Sequence, residues 1–237
     1  MLKIEHYSKY YGEKCAVDDL SLHINAGEIY AFIGHNGAGK TTTLKACIGI
    51  LPFEKGEIWV NGTNIKEDPL LCKSQMSYVP DNPDLYDFMT GWKYLNFICD
   101  VYGMDAQTRQ EKGKELVKSF GLEEAMTQPI SSYSHGMKQK LALICALIHE
   151  PKLILLDEPF VGLDPLASHQ LKQLMRAHCE KGGAIFFSTH VLEVAEKLCD
   201  KVAIIRGGKL IVSGTMEDVK GTGSLEEVFL ELEEKHD

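Results

Sequence analysis

Gly34-His35-Asn36-Gly37-Ala38-Gly39-Lys40-Thr41 sets glycines, a lysine and a hydroxyl in the order G-x-x-x-x-G-K-[ST]. That order suits one chemical task, the holding of a phosphate chain. Glycines let the backbone curl until successive N–H groups point at an anion, and the first turn of a following helix adds its positive dipole end. A lysine in this place reaches the β- and γ-phosphates, and the Thr41 hydroxyl takes one position on Mg²⁺. The flanks agree: residues 28–33 read as a short buried strand, and residues 40–48, free of proline, as the start of a helix. A glycine-rich turn that binds nothing is the plainer alternative, and the spacing together with both flanks makes a chance match improbable. The chain is expected to bind a nucleoside triphosphate.

A second group of reactive residues ends an apolar run, Leu153-Ile154-Leu155-Leu156-Asp157-Glu158. At a carboxyl strand end beside a phosphate loop, the first acid suits Mg²⁺, usually through water. The second is placed to orient, or take a proton from, a water attacking the γ-phosphate. Alone, such a run is as well explained by a strand that stops in solvated acids; the phosphate loop upstream favours chemistry. Ser188-Thr189-His190 closes the next apolar run. A lone histidine after a strand is more often structural, but in this position His190 could hydrogen-bond the γ-phosphate and sense its loss.

These groups need a scaffold that brings strand ends together. Short strands are expected at 2–6, 17–24, 29–33, 57–61 and 76–79, separated by turn signals such as Asn25-Ala26-Gly27 and Asn61-Gly62-Thr63. The texture then becomes helical. Thr90 can cap a helix to about 101, Asp105 one to about 120 and Ser134 one to about 149, before Pro151 breaks the run. Alternation resumes with a strand at 153–156, a helix at 165–180 capped by Asp164, a strand at 184–187 and a helix at 191–198. A hairpin follows around Arg206-Gly207-Gly208-Lys209, and Ser224 with Glu227 makes a capping box for a last helix. The reading is an α/β core of residues 1–87 and 150–237 with an inserted α-helical subdomain at 88–149, all within one domain. The strands after the insert are continuous apolar runs, as in a parallel sheet covered on both faces.

Composition narrows the partners. The 237 residues carry a net charge of −9 with no Lys/Arg block, which argues against a nucleic-acid face and against docking on anionic lipid. The longest apolar runs, 141–148 and 153–156, are far below the ~20 residues of a membrane span. The first residues, Met1-Leu2-Lys3-Ile4-Glu5-His6, lack an apolar signal core, so secretion is not expected. Seven scattered cysteines without C-x-x-C pairing read as reduced thiols, and nine histidines without an H-x-x-x-H pair give no transition-metal site.

The phosphate loop, the helical insert, Tyr133-Ser134-His135-Gly136-Met137, the run 153–158, Gly162-Leu163-Asp164 and His190 follow one another in an order that resembles the ATPase subunit of ABC transporters. The resemblance spans essentially the whole chain. It implies a P-loop NTPase core with an antiparallel β subdomain, binding and hydrolysing ATP with Mg²⁺. By resemblance, Tyr11 stacks on adenine, with Tyr10 as its neighbour and alternative. Gly34 to Thr41 and Thr42 hold the phosphates; Thr41 and Asp157 serve Mg²⁺; Glu158 is the catalytic carboxylate and His190 the switch histidine. The family binds ATP between two head-to-tail subunits, so Ser134, His135, Gly136 and Met137 would face the partner's γ-phosphate, and Asp164 would lie in the loop crossing between subunits. The partner would be a second ABC ATPase subunit, identical or not, with integral membrane permease subunits. The expected location is cytoplasmic, peripheral at the inner face of the cell membrane.

Two departures stand out. Where the family has Leu-Ser-Gly-Gly-Gln, this chain has Tyr133-Ser134-His135-Gly136-Met137, a pattern similar to a subgroup of bacterial exporters of peptides, antibiotics or lipids. His135 either adds a donor near the triphosphate or faces solvent. Asp81, in Tyr78-Val79-Pro80-Asp81, stands where the family has glutamine. Its carboxylate either approaches Mg²⁺ or points into solvent beside Asn82. Two rival functions remain: a soluble ABC ATPase without a membrane partner, and a nucleotide-gated module that does not hydrolyse.

Overall fold

The computed structural model describes residues 1–234. Two sheets carry the fold. The smaller is antiparallel, in the order β2-β1-β4-β5, built from β1 (Leu2–Tyr11), β2 (Lys14–Ile24), β4 (Lys55–Val60) and β5 (Thr63–Asn64). The larger has the order β10-β9-β3-β8-β7-β6, from β3 (Ile29–Ile33), β6 (Met76–Val79), β7 (Leu153–Asp157), β8 (Ala184–Thr189), β9 (Lys201–Arg206) and β10 (Lys209–Thr215). All its pairings are parallel except that of β10 with β9, the hairpin expected at Gly207-Gly208.

Every residue of β3, β7 and β8 is buried. Alternate residues of each strand feed different cores. Ile29, Ala31 and Ile33 face one cluster with Leu141, Ile144, Leu171 and Met175, while Tyr30 and Phe32 face the other with Leu44 and the small sheet. With both faces covered, polar alternation disappears, and this is why these strands read as apolar runs. The helices are α1 (Lys40–Cys47), α2 (Pro69–Ser74), α3 (Gly91–Val101), α4 (Ala106–Ser119), α5 (His135–Leu147), α6 (Pro165–Glu180), α7 (Leu192–Leu198), α8 (Met216–Lys220) and α9 (Leu225–Glu234).

The caps read from sequence are present. The side chains of Thr90, Asp105, Ser134 and Asp164 accept from the backbone N–H three residues on, and Ser224 and Glu227 exchange bonds as a capping box. Helix α8 (Met216–Lys220) and the two-residue strand β5 were not expected, and two further elements differ from expectation. Helix α2, capped by Asp68, has only six residues, too few to show a helical period. Strand β1 runs to Tyr11 rather than stopping at His6, because bulges between Ile4 and Tyr10 break the alternation that marks a strand. All seven cysteines are free, and six are buried.

Strands β3, β8 and β7 are neighbours with aligned carboxyl ends, Ile33 opposite Thr189 and Ser188 opposite Asp157. The phosphate loop, the paired acids and His190 therefore emerge along one edge, where open parallel sheets bind ligands.

Candidate nucleotide-hydrolysis site

The loop after β3 is held by close approach. A side chain at Gly34 would meet the Ile205 carbonyl at 2.3 Å, and one at Gly39 would meet the Ala16 carbonyl at 2.7 Å. Gly39 also has φ +109°, so glycine is required there on both counts. It precedes α1, whose first turn contains no acidic residue, leaving the positive helix end unopposed. Ala38 is buried, while His35, Asn36 and Gly37 are exposed on the outer curve. Thr43 bonds back to the Gly39 carbonyl at 2.9 Å, and the Thr42 carbonyl accepts from Tyr7 at 3.4 Å.

Lys40 is 6% exposed. Its ammonium lies inside the curl, donating to the carbonyl of Gly34 and, at 3.3 Å, to that of His35. Glu158 Oε1 is 3.7 Å away. Thr41 Oγ1 donates to Asp157 Oδ2 at 2.6 Å, and Ser188 Oγ donates to Asp157 Oδ1. Burial is the largest influence on Asp157 and pushes its carboxyl above the usual range; the two hydroxyls oppose that shift, and the charges of Asp81 and Glu158 add to it. A buried, oxygen-lined carboxylate of this kind gains from a hard cation.

Glu158 has a φ of +49°, a left-handed conformation uncommon outside glycine that costs about 1–2 kcal/mol. What that turn achieves is visible in its partners. The backbone N–H donates to Ser188 Oγ at 3.0 Å, while Oε2 sits 3.0 Å from His190 Nδ1 and 3.4 Å from the His190 N–H. Oε1 is buried without a hydrogen-bond partner. One carboxylate oxygen is thus fixed by the histidine, and the other is free to accept from a reactant.

Tyr11 is 51% exposed at the end of β1, with the Lys9 ammonium 5.6 Å from its ring centre; Tyr10 lies beside it under Lys55. Asp81 is exposed, accepts the Asn82 N–H at 2.9 Å, and lies close enough for its charge to act on Asp157. Both sequence readings of Asp81 therefore find an observation.

Ser134 caps α5 at an exposed helix start with no acidic residue in its first turn. His135 is exposed yet packs on Gly162, where an added side chain would meet its ring at 2.7 Å. Gly136 lies against the Gly162 carbonyl, which a side chain would meet at 2.6 Å, and Met137 gives its N–H to Ser134. Asp164 caps α6 with one oxygen and takes Lys140 at 2.6 Å with the other, and that lysine holds its carboxyl below the usual range. Residues 134–137 are therefore tied to the loop at 162–164 of the same chain.

Sequence reading missed three participants. Ser188 joins Asp157 to the Glu158 backbone, Lys140 links α5 to Asp164, and Phe229 of α9 meets the His35 ring edge to face at 5.1 Å. None of the three carried a local signal, since each meets its partner only through the fold.

The ABC transporter family model matches residues 17–161. The ABC-type transporter ATP-binding protein EcsA of Bacillus subtilis is 33% identical over 237 residues, covering 98% of this chain and 96% of that protein. The linearmycin resistance ATP-binding protein LnrL of the same species is 33% identical, covering 92% of this chain and 70% of that protein. A solved ATP-binding subunit of an ABC transporter is 35% identical and superposes with a TM-score of 0.94, covering 98% of this chain and 99% of that one. The motif order, the P-loop edge and these similarities converge: the chain belongs to the ABC transporter family as an ATP-binding, ATP-hydrolysing subunit.

Proposed function

We propose that the chain powers an exporter, as one half of a head-to-tail ATPase dimer attached to separate membrane subunits on the cytoplasmic side. The observation that carries the hydrolytic part is the Glu158 carboxylate, pinned by His190 through one oxygen, with the other buried without a hydrogen bond 3.7 Å from Lys40. No helix among the described residues is long and apolar enough to cross a membrane, so the transport pathway is assigned to partners. Support for export comes from the signature departure at His135 and Met137 and from the resistance function in the name of the relative LnrL.

In this reading the N–H groups of the loop from Gly34 to Thr42 and the Lys40 ammonium hold the triphosphate, and Tyr11 supports the adenine. Thr41 and Asp157 fit Mg²⁺, being converging oxygens of a buried carboxylate and a hydroxyl, with Asp81 as a third candidate. Mg²⁺ bound there supplies charge neutralisation for the triphosphate. Glu158 Oε1 accepts a hydrogen bond from the attacking water and orients it in line with the γ-phosphate. His190 holds Glu158 in place before it contacts phosphate, so loss of the γ-phosphate changes its partners. Ser134, His135, Gly136 and Met137 present the α5 N-terminus to the partner's γ-phosphate, with Asp164 at the crossing between subunits. Short helices of the membrane partner dock in the groove between the core and the helices at 91–147, near Asp81.

The assignment is tested by purifying the chain from detergent-solubilised membranes of its source and measuring phosphate release. A stoichiometric multi-span membrane protein and ATP-dependent release are expected. Purification without any membrane protein would move the assignment to a soluble ABC ATPase, and ATP binding without phosphate release to a gated binding module.

Asp81 makes a separate expected result. If its carboxylate serves the metal, Asp81→Gln raises the Mg²⁺ concentration for half-maximal ATPase by roughly three- to tenfold, because one anionic ligand becomes neutral. Asp81→Ala then alters coupling to the membrane subunits more than ATP affinity. Mg²⁺ titrations of the three proteins decide it. Superimposable curves place Asp81 in solvent.

A further inference from the structure

The carboxyl end of β8 grips Glu158 at two points. His190 holds the side chain: Glu158 Oε2 lies 3.0 Å from its Nδ1 and accepts its backbone N–H at 3.4 Å. Ser188 holds the backbone from which that side chain springs, its Oγ accepting the Glu158 N–H at 3.0 Å. The same N–H lies 3.2 Å from the Ser188 carbonyl, continuing the β7–β8 ladder in which Asp157 faces Ser188.

Ser188 is out of keeping with its strand. Ile185, Phe186 and Phe187 before it belong to the apolar cores, and Ser188 itself is 0% exposed. A hydroxyl so deeply buried destabilises a fold unless its hydrogen-bonding capacity is used. Here it is used as donor and as acceptor. An amide N–H can only donate, so Oγ accepts from Glu158 and gives its single hydrogen to Asp157 Oδ1. Alanine or valine would suit the apolar strand and could make neither bond. The other Asp157 oxygen accepts from Thr41, whose hydroxyl is itself a candidate for Mg²⁺, whereas the Ser188 hydroxyl has no second task.

The bond to the backbone matters because of where Glu158 stands. It is the first residue beyond β7, and its φ of +49° lies in the left-handed region that residues with a Cβ rarely adopt. Such a conformation persists only where its surroundings over-determine it. Released to an ordinary φ, the residue would swing its Cα–Cβ bond away. The His190 contact and the 3.7 Å approach of Oε1 to Lys40 would go with it. Displacing a catalytic group by about 1 Å costs on the order of 10²-fold in rate.

We propose that Ser188 is a positioning residue for hydrolysis: one oxygen atom sets the orientation of Asp157 and the backbone of Glu158, and His190 completes the grip on the carboxylate. The inference rests on the reading of Glu158 as the group that orients the attacking water, and adds the residue that keeps it in place. Its action is indirect, through the two acids.

The test compares Ser188→Ala with Ser77→Ala, which removes a buried hydroxyl of β6 that makes no hydrogen bond with a described residue. The ladder bond from Glu158 to the carbonyl at 188 survives in Ser188→Ala, so the strands stay paired. Its kcat should fall by roughly 10- to 100-fold, with KM and the ATP affinity measured without Mg²⁺ within about twofold of wild type. Ser77→Ala should move none of the three by more than about twofold. In the chain without nucleotide or metal, amide hydrogen exchange followed by NMR should quicken at Glu158 by about threefold or more in Ser188→Ala. Exchange at Leu156, inside β7, should stay unchanged. Adding His190→Ala to Ser188→Ala should lower turnover by less than the product of the two separate losses, because both residues hold one carboxylate. Unchanged exchange at Glu158, an equal fall in Mg²⁺-free ATP affinity, or independent losses from Ser188 and His190 would each overturn the positioning role. So would wild-type turnover by Ser188→Ala while Glu158→Gln is inactive, a result that leaves Glu158 as the water-orienting group. Near wild-type turnover by Glu158→Gln overturns that reading instead.

Discussion

Replacing Glu158 by glutamine should leave ATP binding within a few-fold of wild type and lower turnover by roughly 10²-fold or more. The geometry separates the two effects. The bond from the Glu158 backbone N–H to Ser188 does not involve the side chain, and glutamine keeps the size and one oxygen of the carboxylate for the contact with His190. What disappears is the negative charge on Oε1, the oxygen that is buried without a hydrogen bond beside Lys40. That oxygen is the group the attacking water needs. The loss of one negative charge 3.7 Å from the Lys40 ammonium also leaves the lysine more fully available to the triphosphate. Uncleaved ATP should then accumulate, and the variant should dimerise with ATP where wild type does so only transiently. Single-turnover phosphate release and light scattering with and without ATP make the comparison. Near wild-type turnover would exclude Glu158 as the group that activates water. The left-handed backbone supplies an independent check, since Glu158→Asp keeps the charge but withdraws it by a methylene, and should also fall well below wild type.

The residues that could be read directly were those whose chemistry depends on local spacing. The phosphate loop is contiguous, its glycines answer to contacts within reach of the turn, and the strand before it is apolar because both sheet faces are covered. Asp157 and Glu158 were legible for the same reason, as the polar end of a buried strand. Helix caps were visible because an Asx or Ser/Thr cap bonds only three residues ahead. Long-range partnerships left no comparable mark. Ser188 looks like any strand-end serine until β8 is set against β7, when its hydroxyl bridges Asp157 and Glu158 across a sequence separation of 31 residues. Lys140 is one of two lysines on α5 until the fold brings Asp164 beside it. Phe229 gives no hint of the phosphate loop, because only the return of the C-terminal helix places it on His35. The bulges in β1 hid the strand's length through the opposite effect, a local irregularity that the sheet tolerates once Lys55 and Lys14 pair with its far end.

The shared character of the site is tested by separating Lys40 from Ser134. Lys40→Ala should weaken ATP binding to the monomer by roughly 10- to 100-fold, since a buried charge-assisted contact to the triphosphate is lost. The same change removes the nearest cation from Glu158, whose side chain is only 14% exposed, so two carboxylates and a triphosphate would then share one cleft. Ser134 lies on a different helix, with its hydroxyl spent on the Met137 N–H and its side chain exposed. Ser134→Ala should therefore bind ATP to the monomer almost normally and impair ATP-driven dimerisation. Loss of a helix cap, at about 1 kcal/mol, could produce that deficit by fraying α5 alone. Ser134→Asp distinguishes the two causes. Aspartate caps as well as serine does and keeps α5 intact, yet it sets a negative charge where the partner's γ-phosphate is to dock. A dimerisation defect deeper in Ser134→Asp than in Ser134→Ala, with monomer ATP affinity preserved in both, is the result a site built from two subunits requires. Restoration of dimerisation by aspartate would instead reduce Ser134 to a helix cap, and equal loss of monomer binding in the Lys40 and Ser134 variants would place both residues in one subunit's pocket.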